Sequence, residues 1–261
     1  MAHIIYENFV LESKLTDLLN TKMGVRGYMT IDNSLVANPG MKKTINVYTY
    51  TGLVEDLDMG EDNTIEGAVS YTPAEYEVVL SQQKFSYFDE EFMTDPKVVD
   101  MGMEGSATTM VNDLNTRFFA ELAKATLEEE YEGDFSYDVV VDAIQKMNIE
   151  DESGLFLVIG TDLKATIRKD EDFKASRQGE ILYRGQIGTI SGVPVIVSKL
   201  VPEDDAYLAT KEAVTLFIKK DSEIEQDRDA GKRKNSVILR KVHLVALTDA
   251  TKVVKITPET I

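Results

Sequence analysis

An acidic connection of about twenty residues separates two strand-like segments of this chain and limits how they can pack. The first segment, 44–51, reads TINVYTYT, and the second, 74–88, reads AEYEVVLSQQKFSYF. Both are rich in the β-branched and aromatic residues that strands favour. A compact domain rarely contains so long a connection without a function, and an isolated two-stranded hairpin is only marginally stable in water. We therefore predict a long hairpin that packs against a neighbouring subunit.

Two charged sets are the candidate contact residues between subunits. The acidic set lies in the connection and consists of Glu55, Asp56, Asp58, Glu61 and Asp62. The basic set lies near the C-terminal end and consists of Arg228, Lys232, Arg233 and Lys234. The basic set is either a solvated hairpin tip or a contact with acids of a neighbour. We expect the two sets to face each other between subunits, where each surface pair contributes only about 0–1 kcal/mol and is screened by salt.

The composition argues against several functional classes. A net charge of −18 opposes tight binding of nucleic acid, which relies on clustered Lys and Arg. The chain has no Cys and only two His, His3 and His243, so a Cys- or His-rich metal site is excluded. No phosphate-binding, dinucleotide-binding, metalloprotease or serine-hydrolase motif occurs in the sequence. We expect no catalytic residue, cofactor or membrane span, and we expect His243, in an alternating strand pattern, to be a hydrogen-bonded structural residue.

The remaining sequence alternates between helical and strand patterns. Asp95-Pro96 is a helix start, and apolar residues recur at steps of three and four until about residue 130, which predicts one long helix, with a coiled coil as the competing interpretation. After it we predict a helix that begins at Ser136, a strand at 155–159, a short helix through Arg168 and a strand at 193–198. Further strands are expected around Tyr207 and at 214–218, followed by a final hairpin of 237–247 with 252–256.

The order of these parts, together with two local motifs, resembles a known family. Residues 188–198, GTISGVPVIVS, look like the recurring G-x-I-x-G-x-P-V-x-x-S element of tailed-phage major capsid proteins. Residues 213–220, AVTLFIKK, are similar to that family's passage from the apical to the peripheral domain. The chain is therefore identified as resembling proteins with the Hong Kong 97-type capsid fold.

The resemblance implies an α+β fold and a specific layout. It implies an N-terminal arm, an extended β-hairpin loop, a peripheral domain with a long spine helix, an α/β apical domain and strands that return to the peripheral domain. The expected ranges are, in that order, 1–38, 39–88, 89–134, 135–219 and 220–261.

The resemblance also implies a function and partners. The chain would be a major capsid protein that forms hexamers, pentamers and an icosahedral virion shell in the host cytoplasm. A separate scaffolding protein, a portal, a decoration protein and non-specifically contacted double-stranded DNA are the expected partners. Two alternatives remain open: an encapsulin-like compartment, which would need a pocket for a cargo peptide, and an acidic cytoplasmic enzyme, which would need titratable groups converging in a cleft.

Overall fold

The computed structural model describes residues 24–37, 39–169, 188–202 and 204–259. Residues 1–23 and 38 of the expected arm lie outside the described residues, as do residues 170–187 of the expected apical domain. Within the described ranges the chain is a mixed helix and sheet protein. No helix in these ranges is both long enough and apolar enough to cross a membrane.

The described ranges contain twelve strands and four α-helices. The strands are β1 (Thr30–Asp32), β2 (Lys42–Thr51), β3 (Ala68–Glu77), β4 (Val79–Phe88), β5 (Leu127–Tyr131), β6 (Leu155–Ile159), β7 (Thr189–Ile190), β8 (Val193–Val197), β9 (Ala206–Thr210), β10 (Val214–Asp229), β11 (Lys234–Leu247) and β12 (Val253–Pro258). The helices are α1 (Asp89–Thr94), α2 (Lys97–Leu122), α3 (Tyr137–Met147) and α4 (Thr161–Lys169).

A six-stranded mixed sheet with the order β5-β12-β9-β6-β8-β7 is covered on both faces. All five residues of β6 are buried, and they alternate between two apolar clusters. Leu157 packs on one face with residues of α3 and α4, and Phe156 packs on the other with Phe118 of α2. Burial on both faces explains why this strand is a continuous apolar run instead of an alternating one.

A four-stranded sheet with the order β1-β10-β11-β4 lies against the other half of α2. Met103 and Ala107 in the N-terminal half of α2 pack on Val237 and Leu239 of β11, while the C-terminal half of α2 packs on the six-stranded sheet. The hydrophobic stripe of this one helix therefore joins both sheets.

The long helix ends earlier than the sequence pattern predicted. Helix α2 ends at Leu122, and residues 127–131 form strand β5, which pairs in parallel with β12. The apolar spacing continues to Ala125, which is buried in a loop, so periodicity alone could not locate the end. Pairing with β12 outweighed the good helix propensity of Glu128, Glu129 and Glu130.

The final hairpin expected from the sequence is wrong, although its two strands exist. Strand β11 pairs with β10 and β4 in the four-stranded sheet, whereas β12 pairs with β5 and β9 in the six-stranded sheet. Between them a short 3-10 turn, Ala250–Lys252, is capped by the Asp249 side chain and redirects the chain. The true hairpin is β10 with β11, and alternation in a sequence does not show which strands pair.

Gly102 is required where α2 crosses β4. A Cβ atom at this position would lie 2.5 Å from Cε2 of the Phe85 ring, whereas a Cβ at Gly105 meets nothing within 4 Å. We predict that Gly102→Ala destabilises the fold by about 1–3 kcal/mol because the ring must move. Gly105→Ala is the matched control and should be neutral or stabilise by up to about 1 kcal/mol, since alanine favours helix. Urea unfolding followed by circular dichroism measures both changes, and equal effects of the two substitutions would contradict this account.

Candidate subunit interface

A two-stranded ribbon, β2 with β3, stands apart from both sheets. It has ten antiparallel residue pairs, from Lys42 opposite Glu77 to Thr51 opposite Ala68. No residue of β3 is buried. Val78 divides the second strand-like segment, 74–88. The residues before Val78 belong to β3, and the residues after it form β4, which pairs with β11. The ribbon is therefore an exposed hairpin whose return strand continues directly into the four-stranded sheet.

The base of the ribbon is firmly held, in contrast to its outer part. Val78 is buried in an apolar cluster with Phe217 and Leu244 of the four-stranded sheet, and its N–H donates to the Met41 carbonyl at 2.7 Å. The Tyr76 hydroxyl donates to the Leu247 carbonyl at 3.0 Å. These contacts fix the direction in which the ribbon leaves the body.

The acidic set lies in the loop 52–67 at the outer end of the ribbon, and Glu55 closes this loop. Its carboxylate accepts from the Thr64 hydroxyl at 2.5 Å, the Thr64 N–H at 2.8 Å and the Ile65 N–H at 3.2 Å. These bonds, that of the Thr64 hydroxyl first, lower the pKa of Glu55. Glu55 therefore has a role within the loop. The other four acids are exposed, although Glu61 and Asp62 also accept backbone N–H groups of the loop: Asp56, Asp58, Glu61 and Asp62.

The basic set lies at the turn between β10 and β11, as expected for a hairpin tip. Arg228 pairs with the largely buried Asp89 at 2.8 Å, and Asn235 donates to the same carboxylate at 2.7 Å. Arg233 pairs with Glu90 at 2.7 Å. The turn is thereby fastened to the start of α1.

The two acids that bind this turn, Asp89 and Glu90, are not evident from the sequence. They lie far from the turn in sequence, and only the pairing of β4 with β11 brings them to it. None of the ion pairs among the described residues joins the acidic set to the basic set. The Lys232 ammonium is highly exposed and lies 3.8 Å from the Asp229 carboxylate, so Lys232 is better placed than Arg228 to meet a neighbour.

His243 is buried but lacks the hydrogen bonds expected of it. It is 2% exposed, and neither ring nitrogen has a hydrogen-bond partner among the described residues. The ring lines a cavity of about 320 Å³ between the ribbon base, α2 and β11, together with Tyr76, Arg117 and Glu121. Burial, followed by the charges of Lys241 and Arg117, lowers the pKa of His243 to about 4. The imidazole is therefore neutral at pH 7.

The lowered pKa of His243 predicts a loss of stability in acid. Between its ordinary pKa of 6.5 and the folded value of about 4, the unfolded chain binds a proton that the folded chain does not. Stability conferred by neutral His243 is therefore complete above pH 6.5 and falls as the pH approaches 4, by about 3 kcal/mol in total. In urea titrations across this range, His243→Gln should lose less stability than the parent. Parallel pH profiles for parent and His243→Gln would show that this residue is not responsible.

Two comparisons of the sequence with known proteins agree on one class. A family model described as "Phage capsid protein" matches residues 75–256. The chain is 24% identical over 255 residues to the major capsid protein of Staphylococcus phage phiMR11, covering 95% of this chain and 92% of that protein.

Solved structures have the same fold at low sequence identity. The mature capsid of bacteriophage PhiM1 aligns with a TM-score of 0.69 and 10% identity, over 90% of this chain and 87% of that one. The capsid of a native GTA particle aligns with a TM-score of 0.70 and 12% identity, over 92% and 91%. The mixed helix and sheet architecture is therefore that of capsid subunits.

Proposed function

This chain belongs to the phage capsid protein family, and on that basis we propose that it is the major capsid protein whose copies form the icosahedral shell around the double-stranded DNA of a tailed phage. The observation that carries this proposal is the ribbon. Its base is anchored in the core, and the rest of it lacks any partner among the described residues. A ribbon of this kind gains stability only when another molecule covers it.

The proposed layout follows the Hong Kong 97-type fold. The arm would be 1–38 and the extended loop 39–88, with the ribbon as its main part. The peripheral domain would comprise 89–134 and 220–261, with α2 as its spine helix, and the apical domain 135–219. Strands β6 to β9 of the six-stranded sheet fall within the proposed apical domain, which supports this layout. Strands β5 and β12, at one edge of the same sheet, come from the two segments of the proposed peripheral domain.

The proposed role is structural instead of catalytic. Hexamers and pentamers would assemble in the host cytoplasm with a separate scaffolding protein and a portal, and a decoration protein could bind the finished shell. DNA would be contacted non-specifically, which suits a wall with a net charge of −18. An encapsulin-like compartment and an acidic enzyme have less support, because the matched family and the curated relative are both phage capsid proteins.

Electron microscopy of the purified chain, produced with and without its scaffolding protein, tests the function. We expect closed shells, or rings of five and six subunits, in at least one of the two preparations. Small uniform shells that contain an enzyme would favour the compartment instead. A monodisperse monomer under both conditions, confirmed by light scattering, would refute a shell-forming role.

We also propose that the exposed acids of loop 52–67 face the basic turn of a neighbouring copy. Reversing Lys232 and Lys234 to Glu should reduce assembly, and more strongly at low salt, because each pair is weak and only many copies give a measurable sum. Lys169→Glu with Lys199→Glu is the control, since it changes the net charge equally at exposed sites elsewhere. Sedimentation of assembly reactions measures both. Normal particles from the Lys232/Lys234 variant would rule out the pairing.

A further inference from the structure

The cavity beside His243 combines an apolar wall with carboxylates. Its volume of about 320 Å³ lies within the range of small-molecule sites. Residues of β4 and β11 form the apolar wall, and the acids come from two other elements. Glu75 and Glu77 belong to β3 at the ribbon base, and Glu121 belongs to α2, where its side chain is only 12% exposed. The cavity therefore lies where the ribbon meets the long helix.

Carboxylates outnumber cations around this cavity. Both acids of β3 share one cation, Lys42, which lies 3.8 Å from each of them. Lys124 pairs with Glu121 at 2.5 Å. Arg117, which also lines the cavity, pairs with Asp113 at 3.0 Å. One carboxylate charge is left without a matching cation, so the cavity attracts positive charge and repels anions.

His243 adds a hydrogen-bonding group that the protein itself does not use. The residue is 2% exposed, and neither ring nitrogen has a hydrogen-bond partner among the described residues. Buried polar side chains are nearly always hydrogen-bonded, so an unused one in a cavity wall points to a bound group. A neutral imidazole offers one lone pair to such a group. Tyr76 offers a second acceptor in the same lining, because its hydroxyl hydrogen is donated to the Leu247 carbonyl and its oxygen can still accept.

These groups favour an organic ammonium over a metal ion. In the described ranges, no group of three or more His, Asp or Glu side chains could hold a metal ion. An ammonium instead brings three N–H donors, which suit carboxylate oxygens and an imidazole nitrogen. The apolar wall, formed by Val79, Leu244 and Val245, suits the methylene groups of an aliphatic stem.

We propose that this cavity binds a primary alkylammonium group, carried either by a free polyamine or by a lysine side chain of another chain. The ammonium donates to the carboxylates and to His243, and the stem lies on the apolar wall. A ligand held between Glu77 and Glu121 links the ribbon base to α2. The site is a property of the folded subunit, so it does not rest on the proposed function.

Calorimetric titration of the purified full chain with putrescine, a four-carbon diamine, tests the site. Salt at about 0.15 M screens diffuse attraction to this acidic protein. We expect one putrescine to bind per chain, and we expect no binding of butanediol, which has the same stem without charge. Glu75→Gln with Glu77→Gln should weaken putrescine binding by about tenfold or more. Glu128→Gln with Glu130→Gln is the matched control, since it removes the same charge from exposed positions of β5 and should leave the affinity unchanged.

A second variant tests the buried acceptor. His243→Phe keeps a ring of similar shape and removes both nitrogens, so it should also weaken binding, while circular dichroism shows whether the fold is retained. Equal weakening by the two Glu-to-Gln pairs would overturn the site, because it would show diffuse attraction to an acidic chain. Failure of putrescine to bind, or equal binding of butanediol, would overturn it as well.

Carbodiimide cross-linking of assembled particles separates the two sources of the ammonium, because this reagent joins amines to neighbouring carboxylates. A covalent bond from a lysine of one chain to Glu75 or Glu77 of another, found by mass spectrometry, would identify a lysine side chain as the ligand. Undiminished putrescine binding by the particles without such a bond would identify a free polyamine. Either result supports the site, whereas particles with neither the bond nor the binding would overturn it in the assembled protein.

Discussion

A two-stranded ribbon cannot bury an apolar face by itself, and much of this molecule is arranged around that constraint. The ribbon leaves the body from a buried apolar base at Val78 and carries tyrosines that solvent surrounds on the free subunit. Its strands are stabilised mainly by their mutual hydrogen bonds and by the anchored end. A partner surface must supply the remaining burial, and a chain of this family has other copies of itself available in high number.

Strand β11 connects the two halves of the proposed contact. Leu244 and Ala246 belong to the cluster at the ribbon base, and Lys234 lies at the other end, opposite Phe88 of β4. The ten residue steps from 234 to 244 span about 33 Å. Helix α2 packs along this strand, so the ribbon base and the basic turn are held in a fixed relation.

Polar groups interrupt the apolar packing halfway along strand β11. Lys241 is buried and forms an ion pair with Asp221 at 3.5 Å, and burial lowers its pKa. His243 follows two residues later, and β10 has register shifts between Ile218 and Glu223 at the same level. Bulges of this kind increase the local twist of a strand. The join between the two apolar clusters on α2 therefore lies beside polar groups and an irregular strand.

The sequence alone predicted the parts of this fold better than their connections. The ribbon, the start of α2 and the buried strand β6 follow from composition and periodicity, which are local. The pairing of β11 with β4 joins residues far apart in the chain, so the binding of Asp89 to Arg228 could not be foreseen. The same limit explains the incorrect final hairpin, since β12 has an alternating pattern that suits several neighbours. The helix end was missed because Ala125 continues the apolar spacing in a loop.

Hydrogen exchange of the free subunit and of the assembled protein tests the central claim most directly. If the ribbon depends on a second copy, amides of β2 and β3 should exchange rapidly in the free subunit and become strongly protected on assembly. Amides of β6 and β9, in the covered sheet, should be equally protected in both states. Equal protection of the ribbon in free and assembled protein would contradict the account, because it would show that the ribbon needs no partner.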